Sequence, residues 1–399
     1  MKKQNSDYVK FLKIFFWSIF NLALIPLILL LYIINPLLRV QFVKIRDDRI
    51  GHLAANTEVF LRRLEMGILE KKGILYIGIA STKPCNKQLL KMFKRKMVII
   101  QLPKLLSEVT FSEKSFLIKS GFGRHLPMNS NEYSEFSYGK PALKFTSAEE
   151  KKGKELLEKM GITNKDWFIC FHARDPKYLA KRFSSIDYSY HNFRNWDINN
   201  ALKAVEYIAS KGGFAIRMGA IVEKKLPKLK NPRIIDYAAK YRSDFGDIYL
   251  SANCKFFLSD SGGLSQVAEI FNVPEAWVNV IPVEIPPFSS KGIYIPKKLW
   301  SIEKKRFLTF REIIALGLSN ALKAKDYDDA KIKWKDNTPE EILDLAIEMN
   351  ERLDGMFKYT EEDKTLQKRF KSLFKKGSQC YGFLSRMGAK FLRQNKSLL

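Results

Sequence analysis

From Ile14 to Leu38 the chain runs for 25 residues without a charged side chain. In a helix, at ~1.5 Å per residue, that length covers the ~30 Å hydrocarbon core of a bilayer. A secretory signal would have a shorter apolar core and small residues at a cleavage site, whereas this run closes on Asn35-Pro36-Leu37-Leu38-Arg39. A retained membrane segment is therefore expected over residues 1–38. Lys10 and Lys13 precede it and Arg39, Lys44 and Arg46 follow it, so the basic flanks give no crossing direction. A hairpin bent at Pro26, entering and leaving on the cytoplasmic side, reconciles the two flanks.

The formal charge of +27 is concentrated toward the ends. From Lys364 to Leu399 there are ten Lys and Arg and no acid, with Phe370, Leu373, Phe374, Phe383, Leu384 and Phe391 among them. That mixture is what an interfacial amphipathic helix carries, and it predicts anionic membrane lipids as a partner of a basic tail over 359–399. No RNA- or DNA-binding motif accompanies the charge, so nucleic acid is not an expected partner. Cys85, Cys170, Cys254 and Cys380 are too scattered for a disulfide framework or a zinc pair, and Cys170 and Cys254 sit in apolar runs that suit small buried hydrophobes.

Between the ends the pattern alternates. Val40–Lys44, Gly73–Ala80 and Met97–Ile100 read as strands, with a helix over AANTEVFLRRLEMG, giving a Rossmann-like first domain over 39–150. Gly, Pro, Asn and Ser between Gly121 and Lys144 mark the approach to a boundary, after which Ser147, with Glu150 three residues on, reads as a helix cap. WFICFHARD, FAIRMG, RIIDYA, KFFLSD and AWVNV then alternate with helical stretches, as a parallel sheet with crossovers requires, over 151–335. The stretch after Ser301 reads as helical without a motif, and TPEEILDLAIEMNERL, capped at Thr338, as a closing helix packing across the domains over 336–358.

In open parallel sheets ligands bind outside the carboxyl ends of the strands, so the residues leaving each strand carry most weight. WFICFHARD ends in His172, Arg174 and Asp175, followed by Tyr178, and FAIRMG ends in Arg217 and Gly219. Two arginines at one sheet edge suit a diphosphate, which a guanidinium clamps bidentately. Ser259, Asp260, Ser261, Gly262 and Gly263 lie between a strand and a helix, where glycines let backbone amides approach an anion, although Ser and Asp also serve as ordinary helix caps. His52, at the helix start in RDDRIGH, could act as a general base or simply cap that helix, and His125 and His191 stand behind it as candidates. No HExxH, DxD, P-loop or GxSxG pattern occurs, so neither a required metal nor an acyl-serine mechanism is expected.

RIGHLAANTEVFLRR, FHARD, Arg194-Asn195, IRMG, IIDYA, the Asp244–Asp247 stretch and LSDSGG together resemble a bacterial family of glycosyltransferases of surface polysaccharide synthesis, over roughly Arg49 to Asn279. HARD is similar to the HxR element of fucosyltransferases, and LSDSGGLSQVAEIF to the donor loop and helix of heptosyltransferases. The resemblance implies an α/β fold of GT-B type, two Rossmann-like domains facing a cleft, with the acceptor on the first and a nucleotide sugar on the second. It implies sugar transfer to a lipid-linked glycan at the cytoplasmic face of the bacterial inner membrane, metal-independent and inverting. It places the donor against Arg174, Arg217 and the amides of Ser261 to Gly263, with Glu269 on the ribose and His52 or Asp175 as base. FHARDPKY lacks the paired arginines of the fucosyltransferases, and SDSGG lacks the histidine that follows the loop in many heptosyltransferases. A non-catalytic membrane scaffold with a nucleotide-sugar pocket and a sugar-nucleotide epimerase are the rival readings.

Overall fold

The computed structural model describes residues 2–126, 132–177, 187, 189–227 and 230–399, with side chains from Phe15 onward. Tyr178 lies outside the described residues. The chain is a mixed α/β protein divided into two units, Met1–Met128 and Asn129–Leu399.

The first unit begins with one helix, Lys2–Ile34. Its segment Phe15–Ile34 is long and apolar enough to cross a membrane. The expected hairpin at Pro26 is not formed, because the helix continues through that residue. Proline removes one backbone donor, and the remaining ladder bonds of a continuous helix keep the other polar groups paired.

Four parallel strands follow: β1 (Arg39–Lys44), β2 (Ile74–Ser81), β3 (Val98–Leu102) and β4 (Gly123–His125), in the order β3-β2-β1-β4. β1 pairs with β2 in register Arg39 to Ile74, and with β4 in register Phe42 to Gly123. The helix Ile50–Glu65 is buried on most sides through its middle, with Leu53, Ala54, Val59, Phe60 and Leu61 as its apolar contacts and Asn56, Thr57, Glu58 and Arg62 buried among them. Inside it the Arg62 guanidinium donates to Glu58 at 2.8 Å, both side chains fully buried.

The second unit carries β5 (Phe168–Phe171), β6 (Phe214–Arg217), β7 (Ile234–Asp236), β8 (Phe257–Ser259), β9 (Glu275–Val280), β10 (Ile293–Pro296) and, from the carboxyl end, β14 (Arg386–Met387). Among the described residues these form one sheet in the order β14-β10-β9-β8-β5-β6-β7, with every pairing parallel. FICF and EAWVNV are buried at every position, as strands covered on both faces must be. A small antiparallel sheet of β12 (Arg306–Phe307), β11 (Lys298–Ser301) and β13 (Ile332–Lys335) occupies part of the stretch that reads as helical in sequence.

Two helix caps test the sequence reading at single-residue level. The helix Pro339–Leu353 is capped by Thr338 with Glu341 in a reciprocal capping box, as expected. The helix Ser147–Lys159 is capped one residue earlier than expected, by Thr146 with Glu149. Both threonine and serine can cap, and here Thr146 holds the extended backbone that a cap needs.

The basic tail is not a free amphipathic segment. Phe370, Phe374, Phe383 and Phe391 are buried in the same core as Trp277 and Tyr294. Arg386–Met387 adds an edge strand beside β10, and the Glu348 carboxylate accepts the Ala389 amide at 2.7 Å. The expectation that these aromatics enter lipid is thus corrected: they are spent on the core, and the basic residues between them are the polar side of a packed subdomain.

Candidate functional site

The second sheet reverses its direction of growth at one place. From β5 the chain adds β6 and β7 on one side, then returns to add β8, β9, β10 and β14 on the other. The crossovers leaving β5 and β8 therefore diverge, and the carboxyl ends of these two strands open the crevice where α/β sheets bind ligands. His172 to Asp175 leave β5, and Asp260 to Gly263 leave β8.

Asp260 is the centre of this edge. It is 2% exposed, and its Oδ2 accepts the Arg174 amide at 2.8 Å and the Trp196 indole N–H at 2.8 Å. Its Oδ1 is buried without a hydrogen-bond partner among the described residues, as is His172 Nδ1. Burial depresses the His172 pKa, with Asp260 pulling it up and Arg217 pushing it down, so its imidazole is neutral near pH 7. An ideal Cβ on Gly262 would stand 2.7 Å from Asp260 Oδ1 and 3.9 Å from His172 Cε1, so only glycine leaves that space open. An ideal Cβ on Gly219, at φ 148°, would stand 3.9 Å from Cδ2 of the same imidazole.

Cations surround this pair. The Arg174 guanidinium donates through Nε to Asn195 Oδ1 at 3.2 Å. Arg194 donates to the Ser261 carbonyl at 2.6 Å and to its hydroxyl at 3.1 Å. Lys297, just beyond β10, donates to the Asn195 carbonyl at 2.8 Å and pairs with Asp336 at 2.7 Å. Burial holds its ammonium below the usual lysine range, while Asp336 and Asp260 pull it back up.

Other expected residues have different placements. Arg217 is 3% exposed, pairs with Asp236 at 3.2 Å and donates to the Lys224 carbonyl at 2.6 Å, so its fork is engaged in joining β6, β7 and the following loop. Asp175 accepts the Lys177 amide at 2.9 Å and the Glu223 amide at 2.6 Å, closing one loop upon another. Ser259 is fully buried, with its hydroxyl on the Asp260 carbonyl. The short helix after β8 is Ser265–Ile270, so Gly263 precedes it by two residues, and the Gly262 amide donates to the Asp260 carbonyl at 2.7 Å. Glu269 is fully buried and accepts the Phe288 and Ser289 amides at 2.6 and 3.1 Å, turned into the core rather than toward the strand ends.

In the first unit, His52 lies on the helix Ile50–Glu65 after β1, where that sheet also reverses, between β1 and β4. Its Nδ1 is 3.3 Å from Asn56 Oδ1. Burial, reinforced by Arg46, lowers its pKa to about 4. His125 ends β4, half exposed, with Glu113 at 4.0 Å. His191 lies in the second unit, its ring centroid 4.1 Å from that of Tyr190.

Trp196, Lys297 and Asp336 were not singled out in sequence. Trp196 falls just after Arg194-Asn195, a stretch with no periodicity, and Lys297 stands among ordinary basic residues. Only the sheet order brings them to Asp260.

No protein-family model matches the sequence, and no curated protein matches it. Solved structures to which the chain is similar include the E. coli ADP-heptose LPS heptosyltransferase II, 14% identical, covering 79% of this chain and 99% of that one with a TM-score of 0.45. A family 9 glycosyl transferase from Veillonella parvula is 11% identical, with 78% and 96% covered and a TM-score of 0.46. The E. coli heptosyltransferase WaaC with ADP-2-deoxy-2-fluoro heptose is 10% identical, with 64% and 92% covered and a TM-score of 0.34.

Proposed function

We propose that the protein is a glycosyltransferase that binds a nucleotide sugar at the carboxyl ends of β5 and β8 and passes the sugar to a lipid-linked glycan. The observation that carries this reading is the pair of buried polar atoms, Asp260 Oδ1 and His172 Nδ1, that stand unpartnered among the described residues at the point where the sheet order reverses. Buried polar atoms are rarely left so, and a carboxylate oxygen of this kind accepts from a ligand hydroxyl. Arg174 and Arg194 flank it with the planar donors that suit a diphosphate.

In this reading the guanidiniums and Lys297 stabilise the charge that develops on the departing diphosphate, with no step that needs a metal. Arg217 and Glu269 act on the surrounding loops, not on the donor. Of the two candidate bases, Asp175 leaves the carboxyl end of β5 beside the proposed donor site, and the acceptor proton is assigned to it. The first unit takes the acceptor, and attachment to the cytoplasmic face of an inner membrane brings the enzyme to its lipid carrier.

The test is release of nucleoside diphosphate from a panel of nucleotide sugars by the full chain in detergent, with and without a lipid extract containing glycan carriers. Release that requires the extract and disappears in Asp260→Asn supports transfer. Conversion of the sugar nucleotide without any acceptor would make the protein an epimerase, and no turnover under any pairing would leave a scaffold.

A further inference from the structure

The helix Lys2–Ile34 has two faces with different company. Asn21, Leu24, Ile28, Leu31 and Ile34, one helical stripe, pack against the first unit. Ile28 and Leu31 are buried with Val40, Phe111, Leu117 and Phe122, and the Tyr32 ring meets Phe122 edge-on at 4.9 Å. Asn21 fixes the register: its amide donates to the Lys114 carbonyl at 3.0 Å, and its Oδ1 accepts the Phe116 amide at 2.9 Å. On the remaining circumference Phe15, Leu22, Leu29, Leu30 and Ile33 are each more than half exposed, Ile33 by 74%.

This docking conflicts with a helix that stands across a bilayer. Asn21 and Leu31 are separated by ten positions, ~15 Å of helix and so about half of a ~30 Å hydrocarbon core. An upright helix would draw the docked segment 111–122, with the exposed charges of Glu113, Lys114 and Lys119, into hydrocarbon. A helix lying in the plane of the membrane has no such conflict: its outer face enters the acyl boundary while the docked unit stays on the water side.

We propose that Phe15–Ile34 is a monotopic, in-plane membrane helix, and that Lys114 and Lys119 beside it meet anionic headgroups. Phe116, between these lysines, is itself partly exposed, with the Lys119 ammonium 5.9 Å from its ring centre, the basic and aromatic pairing found at bilayer interfaces. The hydrocarbon surface is thus one face of a helix built into the first unit, in place of a tether that leaves it free.

The test places a fluorophore on single cysteines at Phe16, Leu22 and Ile33 of the full chain. Cys85 is replaced by serine, since the other native thiols are buried. The labelled chains are reconstituted in vesicles of phosphatidylethanolamine and phosphatidylglycerol at three to one and quenched by lipids carrying nitroxides at shallow or deep acyl positions. An in-plane helix gives shallow quenching at all three sites, with ratios that agree within about two-fold. Deep quenching at Leu22 with shallow quenching at Phe16 and Ile33 would establish a span and overturn the proposal, and absence of vesicle binding would overturn it equally. Lys114→Gln with Lys119→Gln, which leaves the docked stripe intact, should weaken binding to these vesicles by roughly five-fold per lysine. Unchanged binding would remove the headgroup assignment.

Discussion

The carboxylate of Asp260 accepts the backbone amide of Arg174 at 2.8 Å, tying the end of β8 to the end of β5 where the sheet changes direction. The same oxygen holds the Trp196 indole, so one atom sets the spacing of three segments while its twin is buried without a partner among the described residues. Replacing Asp260 by alanine would leave two buried donors without an acceptor, at about 1–3 kcal/mol each. Asp260→Asn can keep an oxygen toward Arg174 and Trp196 while presenting an NH2 where the acceptor stood. Urea unfolding should therefore show a large loss of stability for the alanine variant and a small one for the asparagine variant, with ligand binding lost in both.

Gly262→Ala puts a methyl group 2.7 Å from Asp260 Oδ1, closer than carbon and oxygen tolerate without movement. The carboxylate is held by two donors and cannot swing away without losing them. The expected result is a folded protein, with a cost of about 1–3 kcal/mol for the overpacking, and a ligand dissociation constant raised at least ten-fold. Thermal unfolding with and without ligand separates these two effects.

His52 makes a pH prediction whose sign follows from its burial. Its folded pKa of about 4 lies below the ordinary 6.5, so the folded state resists protonation. The stability it supports is fully present above pH ~6.5 and is lost as pH falls toward 4, by about 2–3 kcal/mol at pH 4.5. His52→Gln cannot take a proton, so relative to the parent it should gain about that much between pH 7.5 and pH 4.5 in urea unfolding. The same variant should leave no missing inflection between pH 6 and 8 in the activity profile, as the assignment of the base to Asp175 requires.

Phe370 is fully buried, with the Phe310 ring at 5.0 Å and the Phe374 ring at 5.2 Å. Phe370→Ala should cost about 3–5 kcal/mol, the range for a truncated core aromatic. Co-sedimentation of the folded fraction with vesicles should be unchanged, since this residue has no part in the membrane surface.

Much of the sheet was legible because parallel strands buried on both faces are written as apolar runs: ILYIGIA, FICF, FAIR and EAWVNV stand out without structural help. The short edge strands β4 and β14 carry no such signal, and β14 is contributed from far along the chain by a segment whose charge suggested a free tail. Charge density misled there because the aromatics between the lysines are what the core uses. Motif position put Arg174, Asp260 and Gly262 just beyond the carboxyl ends of strands, where the structure has them, but could not say which way a side chain turns. Arg217 and Glu269 carry the chemistry expected of ligand contacts, yet are committed to Asp236 and to the amides of Phe288 and Ser289. Arg194 lay within a quoted motif, while Trp196 and Lys297 became visible only when the sheet order brought distant segments together.

In the proposed function a nucleotide sugar binds between the ends of β5 and β8. Its most direct test is thermal stabilisation of the detergent-purified chain by a panel of nucleotides and nucleotide sugars, measured beside Arg174→Ala and Arg194→Ala. A ligand at ~100 times its dissociation constant adds ~2.7 kcal/mol of stability. The expected result is stabilisation by one nucleotide class, stronger for the sugar-bearing form and lost in both variants. Stabilisation that survives both substitutions, or none with any nucleotide, would contradict it.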